Sequence, residues 1–106
     1  MALSTRIHKT AGKVLTRNPV KGKKGVMIDR TKYKLVKSAI LACFNEKRHL
    51  TKAEIIDGVG RKMREKLDGS LEWPVMAVKL DLEARGIIVR IPRTSPIVHQ
   101  LVRHSR

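Results

Sequence analysis

The sequence predicts an α+β fold in which a basic β-arm precedes three helices and a C-terminal β-hairpin. Apolar residues recur at helical spacing in three successive segments, and the end of the chain holds two β-branched stretches around a proline-bounded turn. A formal charge of +15 on 106 residues points to a polyanionic partner. A chain of this length buries one modest core, so we expect a single folded domain.

The arm is predicted to span residues 1–29, and the domain residues 30–106. Residues 1–37 carry eleven basic residues and one acidic residue, which is +10 of the total charge of +15. Asn18-Pro19 and the stretch 22–25, Gly-Lys-Lys-Gly, interrupt any helix. Two short strands, over 13–16 and 26–28, are therefore expected on either side of a turn.

The first two helices are predicted from their N-terminal caps. Asp29 and Thr31 are both suitable N-caps for a first helix that ends near Lys47. Thr51 followed by Glu54 has the spacing of a capping box, in which the hydroxyl and the carboxylate each accept a hydrogen bond from a free backbone amide. The second helix is therefore expected to begin directly after Thr51.

The third helix is expected to run from a cap at or near Ser70 to Arg85, where Gly86 provides a left-handed C-cap. Strands are predicted over 87–91 and 97–102, with Pro92 to Pro96 as the turn. The apolar residues of the third helix form two stripes. One is a core stripe of Leu71, Val75, Val78 and Leu82, and the second stripe consists of Trp73, Ala77, Leu80 and Ala84.

Three helices followed by strand, turn and strand is the order of a winged helix, which is a helix-turn-helix core with a β-hairpin wing. The spacing of Val78, Leu82, Gly86, Ile88 and Arg90 resembles the junction between recognition helix and wing in many winged-helix regulators. This resemblance covers about residues 30–102.

Two segments carry a narrower resemblance. They are Val26-x-Ile28-Asp29-Arg30-x-Lys32-Tyr33 and the stretch 78–86, Val-Lys-Leu-Asp-Leu-Glu-Ala-Arg-Gly. Together they look like a small bacterial family of similar length whose function is uncharacterised. The resemblance implies a stand-alone, winged-helix-like domain behind a β-arm, and it implies no mechanism.

Duplex DNA, held mainly through phosphates, is the partner that we expect first, for a small regulator or a nucleoid-type protein. In a winged helix the third helix approaches the major groove, and its predicted exposed arc holds Glu72, Met76, Lys79 and Glu83. Only Lys79 on that arc could readily contact a base edge or a phosphate. The predicted contacts are Arg6, Lys9, Lys13, Arg17, Lys21, Lys23, Lys24, Lys52, Arg61, Lys62, Arg64, Lys79, Arg90 and Arg93.

Two alternatives stay open. Small size and a basic arm are equally natural for an RNA-binding or ribosome-associated protein. The stripe of Trp73, Ala77, Leu80 and Ala84 could instead dock a partner or form a homodimer, unless the arm or another helix covers it. The single Trp, Tyr and Phe are each expected in the core, which disfavours base stacking on single strands.

No enzyme is indicated, because no catalytic or phosphate-cradling motif occurs. The four histidines lack metal-ligand spacing, so neither a metal nor a cofactor is expected. Asp81 falls between the two apolar stripes and is expected to pair with Arg85. We expect a soluble cytoplasmic protein, because the chain has a single cysteine, Cys43, and no long apolar segment. If it binds DNA, it would be nucleoid-associated. The N-terminus has no acidic residue, which leaves an organellar transit peptide as an alternative.

Overall fold

The computed structural model describes residues 12–63 and 72–102. Over these residues the chain forms three helices and two small antiparallel sheets, an α+β arrangement compatible with a winged-helix-like layout. The predicted fold class is confirmed at that level. The elements are β1 (Lys13–Leu15), β2 (Met27–Asp29), α1 (Arg30–Glu46), β3 (Leu50–Thr51), α2 (Lys52–Met63), α3 (Glu72–Ala84), β4 (Ile88–Ile91) and β5 (Val98–Leu101).

The N-terminal hairpin, formed by β1, β2 and the loop 16–26, confirms both strands predicted for the arm. Val14 lies opposite Ile28 in the antiparallel register, and Ile28 is buried in the core. The loop closes where the Thr16 amide donates to the Val26 carbonyl at 2.8 Å and the Val26 amide donates to the Thr16 hydroxyl at 2.9 Å. A Cβ at Gly25 would overlap the Thr16 carbonyl, so this close approach requires glycine.

The first two helices begin at side-chain caps. Of the two predicted caps for α1, Asp29 is the one used, since its carboxylate accepts from the Lys32 amide at 3.1 Å. The capping box of α2 is complete: the Glu54 amide donates to the Thr51 hydroxyl at 3.1 Å, and the Thr51 amide donates to the Glu54 carboxylate at 2.8 Å. Both helix starts follow from local sequence alone.

The core lies between the three helices and the inner faces of both sheets. A Cβ on Gly58 of α2 would come within 2.6 Å of the Cys43 sulfur of α1, so glycine allows these helices to approach closely. Cys43 is the small buried residue that its apolar helical context predicts, and burial raises the pKa of its thiol. Fully buried apolar side chains of this core are Val36, Ile40, Ile55, Val59, Val75, Val78, Leu82 and Ile88.

The second sheet has the strand order β3-β5-β4. Gly86 ends α3 with a φ of 76°, and the Ile87 amide donates to the Leu82 carbonyl at 2.9 Å, as expected for a glycine C-cap. The chain then returns through the C-terminal hairpin, formed by β4, β5 and residues 92–97. β3 was not predicted, because two residues are too few to show a period; Leu50 on it lies opposite His99 of β5. The hairpin is thereby tied to the start of α2.

Candidate nucleic-acid interface

The predicted contact cations divide by their partners. Arg6, Lys9 and Arg64 lie outside the described residues. Four others are held in ion pairs: Arg61 with Asp57, Lys62 with Glu46, and both Lys79 and Arg90 with Glu83. The other predicted contacts in the described part of the chain have exposed side chains that form no ion pair or hydrogen bond with described residues. They are Lys13, Arg17, Lys21, Lys23, Lys24, Lys52 and Arg93.

One group of these cations lies beside α3 on its N-terminal-hairpin side. The loop 16–26 and α3 enclose a cleft of about 200 Å³, which we call the loop cleft. Arg17 and Lys24 line it from the loop, and Trp73, Met76 and Leu80 line it from α3. The hairpin loop therefore lies against the second apolar stripe and places two free cations beside it.

A second cavity, of about 440 Å³, lies on the other side of α3 and is called here the hairpin cavity. It is bounded by the start of α2, by α3 and by the C-terminal hairpin. Met76 lines both the loop cleft and the hairpin cavity, so the exposed side of α3 separates them. The other residues that line the hairpin cavity include Lys52, Lys79, Arg90, Ile97 and His99.

The predicted exposed arc of α3 is wrong at Lys79 and Glu83. The Lys79 residue is only 3% exposed, and its ammonium donates to the Glu83 carboxylate one turn later, whose side chain is 6% exposed. The C-terminal hairpin packs over this part of the helix, which a projection of α3 alone could not show. Lys79 is therefore a buried, paired cation at the wall of a cavity, not the free contact that was predicted.

Glu83 joins the hairpin to α3. Its second oxygen accepts from the Nε of Arg90 on β4 at 2.7 Å, so one carboxylate holds two cations. His99 of β5 is also buried here, with its Nε2 3.9 Å from Glu83 and its Nδ1 2.9 Å from the Leu50 carbonyl. Since that carbonyl can only accept, Nδ1 carries the proton. Burial lowers the pKa of the His99 ring. Burial also lowers the pKa of the Lys79 ammonium, and this effect exceeds the increase caused by the hydrogen bond to Glu83.

Asp81 joins the N-terminal hairpin to the other side of α3, as Glu83 joins the C-terminal hairpin. The predicted pair with Arg85 is confirmed, at 2.8 Å from Arg85 Nε to the carboxylate. Two further donors were not foreseen: the Arg17 amide at 2.8 Å and the hydroxyl of Tyr33 on α1. Asp81 is fully buried. Burial and the hydrogen bond to Asp81 raise the pKa of Tyr33 to about 12. This carboxylate fastens the N-terminal hairpin and α1 to α3.

The second apolar stripe is neither fully buried nor fully open. Trp73 is 53% exposed, so the expectation that it lies in the core is wrong, whereas Tyr33 and Phe44 are buried as expected. Ala77, Leu80 and Ala84 are half-buried. Part of the stripe lies under the N-terminal hairpin, which is the cover that the sequence left open as an alternative.

Over residues 12–63 and 72–102, no three His, Cys, Asp or Glu side chains are grouped closely enough to hold a metal ion. None of the helices in this described part combines the length and apolar character needed to span a bilayer. The ionisable side chains brought together are the Asp81 and Glu83 clusters and the surface ion pairs.

Comparison with known proteins gives a family and no function. No curated protein and no solved structure matches the chain. A family model described as a family of unknown function, DUF6958, matches residues 13–99. The match begins at the first strand of the N-terminal hairpin and ends on β5, so it spans both hairpins and all three helices. The uncharacterised family expected from the two sequence segments is thereby confirmed, and the chain belongs to DUF6958.

Proposed function

We propose that this protein is a winged-helix protein that binds nucleic-acid duplexes, DNA in preference to RNA, mainly through phosphate contacts. One observation carries the proposal: cations without acidic partners lie on both sides of the exposed face of α3. Arg17 and Lys24 flank it at the loop cleft, and Lys52 flanks it at the hairpin cavity.

The topology supports the winged-helix assignment. The second sheet takes its central strand, β5, from the end of the chain and pairs it with β3, which lies between α1 and α2. That is the connection expected of a winged helix, with α2 and α3 as the helix-turn-helix pair and the C-terminal hairpin as the wing. Arg93, exposed in the turn of this hairpin with a φ of 65°, would be the cation at the tip of the wing.

The positions of the cations suit a helix that lies in a major groove. A helix with its side chains is roughly 10–12 Å across, and the major groove of B-DNA is about 12 Å wide. Phosphates of the two strands therefore run along both sides of an inserted helix. Free cations on both sides of α3, at Lys24 and Lys52, match that arrangement.

The exposed face itself favours binding without strong sequence preference. Trp73, Met76, Ala77 and Leu80 offer one hydrogen-bond donor among them, the indole N–H of Trp73. Specific base readout needs donors or acceptors that face base edges, and Lys79 is withdrawn into its pair with Glu83. We therefore favour a nucleoid-type, sequence-tolerant protein over a sequence-specific regulator, located in the cytoplasm with the nucleoid.

The test is a fluorescence anisotropy titration against labelled duplex DNA and hairpin RNA of equal length, from about 50 to 300 mM salt. We expect submicromolar affinity for DNA at low salt, a steep fall with salt, and weaker binding to RNA because the narrow major groove of A-form RNA does not admit a helix. Tighter binding to RNA would support the RNA-associated alternative. Absence of binding to both would contradict the proposal.

A second candidate function rests on exposed apolar area. Leu15, Met27 and Trp73 each have more than half of their surface exposed. Such residues are typical of a face that docks a partner or a second copy of the chain. Sedimentation equilibrium tests the homodimer: we expect a monomer–dimer equilibrium that Trp73→Ala shifts toward the monomer if the stripe of Trp73, Ala77, Leu80 and Ala84 is the interface. A dimer would remain compatible with DNA binding, since winged helices can bind two half-sites.

A further inference from the structure

The hairpin cavity combines buried charges with accessible space. Lys79 and His99 are each 97–98% buried, yet both line a cavity of about 440 Å³. Placing an ammonium in the protein interior is energetically unfavourable, and replacing a buried ion pair by apolar side chains is often neutral or stabilising. Stability therefore does not account for a charged pair here, and buried ionisable groups at a cavity are typical of binding sites.

The charges around the cavity do not balance. Lys52, Lys79 and Arg90 supply three positive charges, and Glu83 supplies one negative charge against them. With His99 neutral, the net charge is +2. A phosphate monoester carries about −1.5 to −2 at neutral pH, so a single bound phosphate group would neutralise the excess.

Glu83 also fixes the geometry of the cations. It binds Arg90 through Nε, which leaves both terminal nitrogens of that guanidinium without a partner among the described residues. A guanidinium held at Nε still has the pair of N–H groups with which arginine grips phosphate. Glu83 is thus a positioning residue, and it binds Lys79 at the cavity wall through its other oxygen.

We propose that the hairpin cavity is a phosphate-binding site in which Arg90 and Lys79, oriented by Glu83, grip a phosphate group, with Lys52 at the rim. Met76 and Ile97 provide apolar walls for the organic part of a phosphorylated ligand. The phosphate can belong to a free phosphate monoester or to a nucleic-acid backbone. The site itself needs only the cavity, so its occupation by inorganic phosphate does not depend on duplex binding.

The experiment is an NMR titration of the full chain with inorganic phosphate at constant ionic strength, observed through the side-chain signals of His99 and Arg90. We expect saturable shifts in the wild type and an affinity reduced about tenfold by Arg90→Gln and by Lys79→Met. Arg48→Gln is the matched control, because it removes an exposed arginine that neither lines the cavity nor belongs to the proposed duplex-binding face. Its phosphate affinity should equal that of the wild type.

A second arm of the titration identifies the source of the phosphate. Dimethyl phosphate carries the single charge of a nucleic-acid backbone, so weaker binding than inorganic phosphate indicates a free monoester, and equal binding indicates a backbone phosphate. Non-saturating shifts in the wild type would overturn the proposal. So would an equal loss of affinity in Arg48→Gln. Full affinity retained by Arg90→Gln would also overturn it, since the Arg90 side chain is half-exposed on β4 and its replacement should not disturb folding. Duplex binding is scored separately by anisotropy, so either proposal can fail alone.

Discussion

Asp81 and Glu83 lie two positions apart on α3, and each ties one hairpin to that helix in a different way. Asp81 accepts from a backbone amide, a phenol and a single guanidinium, and it is completely buried. Glu83 accepts from two cations beside an open cavity. The Asp81 cluster is therefore buried and balanced, with one positive charge on its carboxylate, whereas the Glu83 cluster sets two positive charges against one negative charge beside a cavity.

This difference separates a cluster that holds the fold from one that we propose binds a ligand. A fully buried carboxylate whose two oxygens both accept from the protein fixes the fold and is closed to a ligand. A carboxylate that orients two cations toward accessible space leaves them able to bind an anion. By burial alone Asp81 would be the stronger candidate for a functional residue, whereas the balance of charge favours the Glu83 cluster.

The largest expected effect is on stability, at the Asp81 cluster. Asp81→Asn removes the charge that pairs with Arg85. It also replaces one accepting oxygen by an NH2 group, which then faces the donors of the cluster. We therefore expect a loss of about 3 kcal/mol in the free energy of unfolding. Glu83→Gln should cost less, about 2 kcal/mol, because the Lys79 ammonium, whose pKa burial already lowers, can give up its proton once its counter-charge is gone, whereas the Arg85 guanidinium cannot. Urea denaturation of both variants measures the difference.

Hydrogen exchange provides the control for that comparison. The Arg17 amide should exchange faster in Asp81→Asn, since it loses its carboxylate acceptor, and should be unchanged in Glu83→Gln. Equal destabilisation by the two substitutions, or an Arg17 amide that is indifferent to Asp81, would show that the two clusters do not differ as described.

A smaller effect is expected at Tyr33, which donates to Asp81. Tyr33→Phe should cost about 2 kcal/mol, the usual value for a hydrogen bond to a charged group. The pKa of Tyr33 is raised from 10.0 to about 12 in the folded state. The extra stability of the wild type over Tyr33→Phe is thus fully present below pH 10 and is lost as the pH rises toward 12. Because the chain has one tyrosine, tyrosinate absorbance reports this titration directly; a midpoint near 10 would contradict the buried hydrogen bond.

The elements that the sequence predicted correctly are those set by local chemistry. The capping box of Thr51 and Glu54, the cap at Asp29 and the left-handed Gly86 each need only a few neighbouring residues. The pair of Asp81 with Arg85 is also local, one helical turn apart. These features placed α1, the start of α2 and the junction between α3 and β4.

The features that were missed depend on contacts between distant segments. Lys79 was expected to be exposed because the projection of α3 alone cannot show where the C-terminal hairpin, which begins nine residues later, will pack. Trp73 was expected to be buried because aromatic residues usually are, and the N-terminal hairpin covers only part of its stripe. The donation from Arg17 to Asp81 spans 64 positions and leaves no pattern in the sequence.

The central claim, that cations on both sides of α3 hold a duplex, is tested most directly by the salt dependence of DNA binding in two charge-matched double variants. Lys24→Gln with Lys52→Gln removes one cation from each side, and Lys34→Gln with Lys37→Gln removes two from α1 that line neither cavity. The first pair of substitutions should make the fall of log affinity with log salt concentration shallower by about 2 in slope, and the second pair should leave the slope unchanged. Equal slopes for the two variants would contradict the proposed face.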